Sequence, residues 1–239
     1  MFFAAVYANF VVVEGLIVAG DSAATAKNIL EHELTFRFGI LGFFVVLICD
    51  VLVTWALQIY IKRLNNELSW LAAAFRLVYT AIFAVAITHL YLALPILRSS
   101  SAAFSTAQRE MQAMISLEIF QQGWLIGLLF FGFHLLTLGY LILSTKHVPR
   151  AIGLLLLFAG LAYTLDTFAH FALVNYDDYK NIFLPIVAIP AAVGELSLCV
   201  WLLIQGFKKN VYLELTAHRK GASCNQTPCN SESPRCCSS

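Results

Sequence analysis

Long apolar runs with almost no charge in them constrain this chain more than any other feature. Five, at roughly 38–61, 68–96, 122–145, 151–174 and 182–206, are long enough to cross a bilayer as helices, because about 30 Å of hydrocarbon takes about 20 helical residues. A sixth, at roughly 2–20, starts at Met1 itself. In lipid no water reaches the backbone, so every N–H and C=O must pair within its own segment, and each run reads as a helix. Composition agrees: residues AVILMFWYC make up 60% of the 239 and charged residues 12%, against about 25% charged in a soluble domain. A water-facing fold of this size has no room inside for so much apolar surface. A net charge of +1 without a basic block excludes a nucleic-acid partner held by phosphate neutralisation. The expected fold class is all-α: a polytopic membrane protein, with a bundle of about six transmembrane helices in antiparallel hairpins over residues 1–206.

Between the runs, residues 97–121 (Arg98, Ser99 to Ser101, Gln108, Arg109, Glu110) read as a polar connection of some amphipathic character. Residues 207–239, rich in Lys, Ser, Asn and Cys, read as a disordered cytosolic tail. At the start, Val18-Ala19-Gly20 offers small residues for signal cleavage, but a positive n-region is missing and Glu14 interrupts the run. A membrane helix clipped at Met1 is the better reading. Asp21 before an Ala-rich stretch to Lys27 reads as the N-cap of a short interfacial helix. Asn65-Asn66 and Pro149 mark tight turns, with Pro149 suited to a first helical position.

Lys and Arg number nine on the side that holds Lys62, Arg63, Lys146, Arg150 and the tail. They number five on the other: Lys27, Arg37, Arg98, Arg109 and Lys180. That excess puts both termini in the cytoplasm; the plasma (cell inner) membrane is the expected location. A shift of 84 residues superposes Lys62 on Lys146, Tyr79-Thr80 on Tyr163-Thr164 and Asp50 on His134. Spans two–three and four–five would then be parallel copies of one hairpin.

Ionisable side chains at bilayer depth cost at least about 2.5–3.5 kcal/mol each on insertion scales, so each needs a partner or a cavity. With about 1.5 Å of rise per residue, Asp50, His134 and Glu195 lie about 16–17 Å inside their helices, Arg76 about 12 Å and Asp166 about 22 Å. His170 follows Asp166 by one turn on the same face. Arg76 is always charged; Asp50 lies within its reach across the hairpin, and Glu195 is the alternative partner. Asp50, Arg76, His134, Asp166 and Glu195 therefore form a candidate polar cluster. It is either a cavity for a small solute or proton, or an ion-pair network that only fixes helix packing. His89 reads as an interfacial histidine.

A metal reading rests on His134, Asp166 and His170 as zinc ligands, with Asp50 or Glu195 behind them. No H-E-x-x-H, paired-Cys motif, Gly-rich phosphate loop or G-x-S-x-G accompanies them, so no catalytic residue and no cofactor is assigned. Cys49 and Cys199 lie within spans. Cys224, Cys229, Cys236 and Cys237 lie in the tail, where a cytosolic location keeps thiols reduced. Gly153, Gly160, Ala191-Ala192 and Gly194 read as helix-packing contacts.

Several short stretches together carry a resemblance. Gly20-Asp21 with Thr25 and Asn28-Ile29, Phe36-Arg37, Ile48-Cys49-Asp50 and Phe75-Arg76-Leu77 begin it. Phe130 to His134, Gly139-Tyr140, Pro149 to Gly153, Tyr163 with Asp166, Gly194-Glu195-Leu196 and Trp201 to Leu203 continue it. The chain resembles, over roughly 7–206, a mainly bacterial family of multi-pass membrane proteins filed as domain of unknown function 4386. The resemblance implies a helical membrane protein of about this size and brings no activity with it. Three functions stand as alternatives: a bundle that binds or passes a small solute or proton at the polar cluster; an intramembrane metal-dependent hydrolase, similar to ceramidase-like enzymes in residue inventory only; and a structural or sensor scaffold whose charges serve assembly. The lipid bilayer is the expected partner.

Overall fold

A computed structural model describes residues 2–100, 104–145, 148–173, 175–176 and 185–204. The tail expected at 207–239, with its four cysteines, lies outside the described residues. Among the described residues all regular structure is helical. In chain order the elements are α1 (Phe2–Val6), a π-helical stretch (Tyr7–Val13), α2 (Glu14–Leu16), α3 (Ser22–Glu31) and α4 (Glu33–Ile61). Then come α5 (Asn66–Arg98), α6 (Thr106–Leu143), α7 (Arg150–Ala172) and α8 (Pro185–Ile204). The chain divides into two compact units, Met1–Gly194 and Glu195–Ser239; the described part of the second is the latter half of α8.

Five helices, α4 to α8, are long and apolar enough to cross a membrane. The burial pattern inverts that of a soluble protein. Outward positions are large and apolar, among them Phe38, Ile48, Trp55, Trp70, Val85 and Leu165. Inward positions include Asp50, Thr54, Ser69, Arg76, Thr80, Ser116, His134 and Thr167. In water such a surface would drive association; against lipid it is the stable arrangement. The threonines donate inside their own helices, Thr54 to the Asp50 carbonyl at 2.6 Å, Thr80 to Arg76 at 2.8 Å and Thr164 to Gly160 at 2.8 Å, whereas Ser69 and Ser116 donate across to the Gln58 and His89 carbonyls of the neighbouring helix at 3.3 and 2.8 Å.

Two boundaries differ from the sequence reading. The expected connection at 97–121 is helical from Thr106 onward, so α6 carries the span expected at 122–145 on a longer rod. Ser105 caps it, accepting from the Gln108 backbone N–H at 3.3 Å while Gln108 Oε1 accepts from the Ser105 N–H at 2.8 Å. This reciprocal box fixes a helix start whatever the polarity of the following turn. The N-terminal helix, expected over 2–20, ends at Leu16. The chain then turns through Gly20 at φ +76°, and Thr25 and Asn28 hold the turn from α3. Thr25 Oγ1 accepts from the Val18 N–H at 2.9 Å and Asn28 Nδ2 donates to the Leu16 carbonyl at 3.3 Å. Asp21 caps α3 as expected, accepting from Ala24 N–H at 2.9 Å. Asn65 caps α5 in the same way, and Pro149 takes the N-cap of α7 rather than its first turn.

Glycines set the helix contacts. On α6, Gly132 and Gly139 face Gly160 and Gly153 of α7. A Cβ on Gly132 would lie 3.0 Å from the Gly160 carbonyl, and one on Gly139 2.8 Å from the Gly153 carbonyl. Only small residues let two membrane helices approach so closely. Gly153 and Gly160 are thus packing contacts, as read from the sequence. Gly39 of α4 similarly receives Val12 of the first helix, where a Cβ would come within 2.3 Å of it. Between α4, α5 and α6 a cluster of Phe43, Phe83, Phe120 and Trp124 fills the core, with ring centroids 5.2 to 6.5 Å apart. The starts of α5 and α7 at Asn66 and Arg150 lie 84 residues apart (150 − 66), the shift seen in the sequence.

Candidate functional site

Asp50 on α4, Arg76 on α5 and His134 on α6 meet inside the bundle. Counted from the helix ends at Ile61, Asn66 and Leu143, they sit about 14–17 Å deep, so one level brings all three together. Arg76 Nη2 donates to Asp50 Oδ1 at 2.6 Å. Both residues are buried, with side chains 7% and 2% exposed, so neither charge is screened by water. A charge-assisted bond this short is strong, yet taking both ions out of solvent consumes much of the gain.

Hydrogen-bond logic fixes the histidine. His134 Nδ1 lies 2.8 Å from the Ala72 carbonyl, which can only accept, so Nδ1 carries the proton. Its Nε2 lies 3.4 Å from Arg76 Nη1, which can only donate, so Nε2 offers its lone pair. The neutral Nδ1–H tautomer satisfies both contacts; an imidazolium would set N–H against N–H. Arg76 is therefore gripped by an anion on one side and a neutral acceptor on the other. Its guanidinium carbon also stands 5.4 Å from the Phe131 ring centroid, within cation–π range. Phe131 contacts His134, Tyr79 and Tyr163 at centroid distances of 5.7, 5.0 and 5.7 Å. Two polar atoms of this node are buried without a partner: Asp50 Oδ2 and Arg76 Nε.

The structure gathers three of the five sequence candidates. Asp166 belongs to a separate group at the far end of α7, where it accepts from the Tyr176 hydroxyl at 2.6 Å. His170 joins that group, its ring 4.6 Å from Tyr176. Glu195 belongs to the second compact unit. The postulated zinc ligands His134, Asp166 and His170 thus divide between two groups, and among the described residues no three of His, Cys, Asp and Glu approach as a metal-ligand set. Sequence reasoning passed over Phe131 and the Ala72 carbonyl. Phe131 sits three residues before His134 and Ala72 four before Arg76, spacings that share a helix face, so the signal was present.

A protein from Archaeoglobus fulgidus described as an uncharacterized protein is 26% identical over 171 residues, which cover 72% of this chain and 85% of that protein. No solved structure matches. The family described as "Domain of unknown function (DUF4386)" matches residues 1–206, the same stretch that holds all the described helices and the buried charge pair. The chain belongs to that family.

Proposed function

We propose that the Asp50–Arg76–His134 node is the polar lock of a membrane bundle, tying α4, α5 and α6 together at one depth. The observation that carries this reading is the 2.6 Å Arg76–Asp50 contact between side chains almost closed to solvent. Within an apolar interior a guanidinium has few alternatives, so each partner enforces the register of the helix that bears it. The node serves assembly in this account, and the hydrolase alternative gains no support from two separated histidine groups.

A second reading has one observation in its favour. Asp50 Oδ2 and Arg76 Nε are a buried acceptor and a buried donor with no protein partner, groups that a proton or small polar solute would satisfy. Infrared difference spectroscopy of the carboxylates, with Asp50→Asn as the reference, separates the two. The lock requires the band of an ionised, ion-paired Asp50 carboxylate; a protonated-carboxyl band at Asp50 would replace it with the proton-binding reading.

We further place both termini in the cytoplasm, at the plasma (cell inner) membrane, with the short N-terminal helix as the first of six passes. The nine-to-five excess of Lys and Arg supports this orientation. The lipid bilayer is the partner in this proposal.

A further inference from the structure

At the end of the bundle opposite the α4–α5 turn, a cleft of about 310 Å3 opens between the first turns of α4 and the last turns of α5. Arg37, Tyr91, Leu94, Pro95 and Arg98 line it. Glu33 lies between the two arginines, 2.7 Å from Arg37 Nε and 3.1 Å from Arg98 Nη1. One carboxylate against two guanidiniums leaves the group with a charge of +1. Each arginine gives a single nitrogen to Glu33 and has the rest of its five N–H donors for other acceptors. Both side chains are accessible, 47% and 57% exposed, and Glu33 is 25% exposed.

We infer that this cleft binds the headgroup of an anionic phospholipid. Two forked guanidiniums suit a phosphate, which each can engage through paired N–H bonds. The walls then change character along α5. Leu94 and Pro95 are apolar, and Tyr91 lies about 10 Å in from Arg98 with an amphipathic ring of the kind found at the membrane–water boundary. Phosphate at the arginines and acyl chain along Tyr91, Leu94 and Pro95 follow that gradient. A free inorganic anion has no use for the apolar wall. Phosphatidylglycerol, whose phosphate carries the one negative charge that the +1 group would neutralise, is a lipid of this class.

Native mass spectrometry of the full chain in detergent tests this, with separate titrations of phosphatidylglycerol, phosphatidylcholine and soluble glycerol 3-phosphate. The expected result is phosphatidylglycerol held about tenfold more tightly than phosphatidylcholine, the size of one charged hydrogen bond. Arg37→Gln/Arg98→Gln should bring it down to the phosphatidylcholine level. Arg98→Gln alone, which keeps the Glu33–Arg37 pair, should give an intermediate value and serves if the double variant fails to fold. Equal retention of the two lipids by the natural chain, or phosphatidylglycerol retention unchanged in the variants, overturns the site. Glycerol 3-phosphate bound more tightly than either lipid overturns the lipid as occupant.

Discussion

Arg76 carries a charge that it cannot shed, and the residues around it are explained by that constraint. Asp50 neutralises it, His134 accepts one of its remaining donors, and Phe131 offers a ring face. The pairing with Asp50 was legible in the sequence because one hairpin turn and a rise per residue fix the relative depth of two adjacent helices. Asp166 was not excluded by the same reasoning, since depth says nothing of the direction a side chain takes around its helix. Tyr176 meets it instead. The histidine gives a prediction at this scale. His134→Ala removes a buried ring that bridges Arg76 and the Ala72 carbonyl, leaving both short of a partner beside a new cavity. The loss should be about 2–4 kcal/mol, read by denaturant unfolding in detergent. A loss below about 0.5 kcal/mol, the scale of an ordinary surface change, would remove His134 from the node.

At the scale of single helices, the cap at Asp21 and the turn at Asn65-Asn66 were legible because their chemistry is local. The start of α6 was not. Ser105 and Gln108 carry the capping-box signature, but the polar residues after them read as a loop: polarity marks where a helix leaves the hydrocarbon, not where it ends. The first helix is shorter than its apolar run for the opposite reason, since that run continues from Leu16 into the turn that Thr25 and Asn28 hold. The α6–α7 contact yields a contrast between two glycines. Gly139→Ala drives a methyl to 2.8 Å from the Gly153 carbonyl and 3.0 Å from the Leu157 backbone nitrogen, and overpacking of this sort costs about 1–3 kcal/mol. Gly194→Ala meets its nearest atoms at 3.4 Å and gains helix propensity, so it should be neutral or stabilise by up to about 1 kcal/mol. Thermal unfolding of both variants in detergent checks the pair, and equal losses would contradict the close approach of α6 and α7.

For the whole molecule, membrane class and the number of long helices were legible because lipid leaves an apolar run only the helical option. Which helices share a polar node was legible only where two spans are joined by a short turn; the part of α6 came from equal depth alone. The proposed orientation is checked in intact cells with an impermeant thiol reagent, which should leave Cys224, Cys229, Cys236 and Cys237 unlabelled; strong labelling there would invert it. The lock itself is tested most directly by a double-mutant cycle on Asp50 and Arg76, read by unfolding in detergent. Breaking one side of a buried pair costs about 3–5 kcal/mol because the other charge is left uncompensated. Asp50 can escape part of that by taking up a proton, whereas Arg76 cannot. Asp50→Asn should therefore cost more than Arg76→Gln, and the double variant should recover much of the loss. If the two single losses add within about 0.5 kcal/mol, the pair does not lock the bundle.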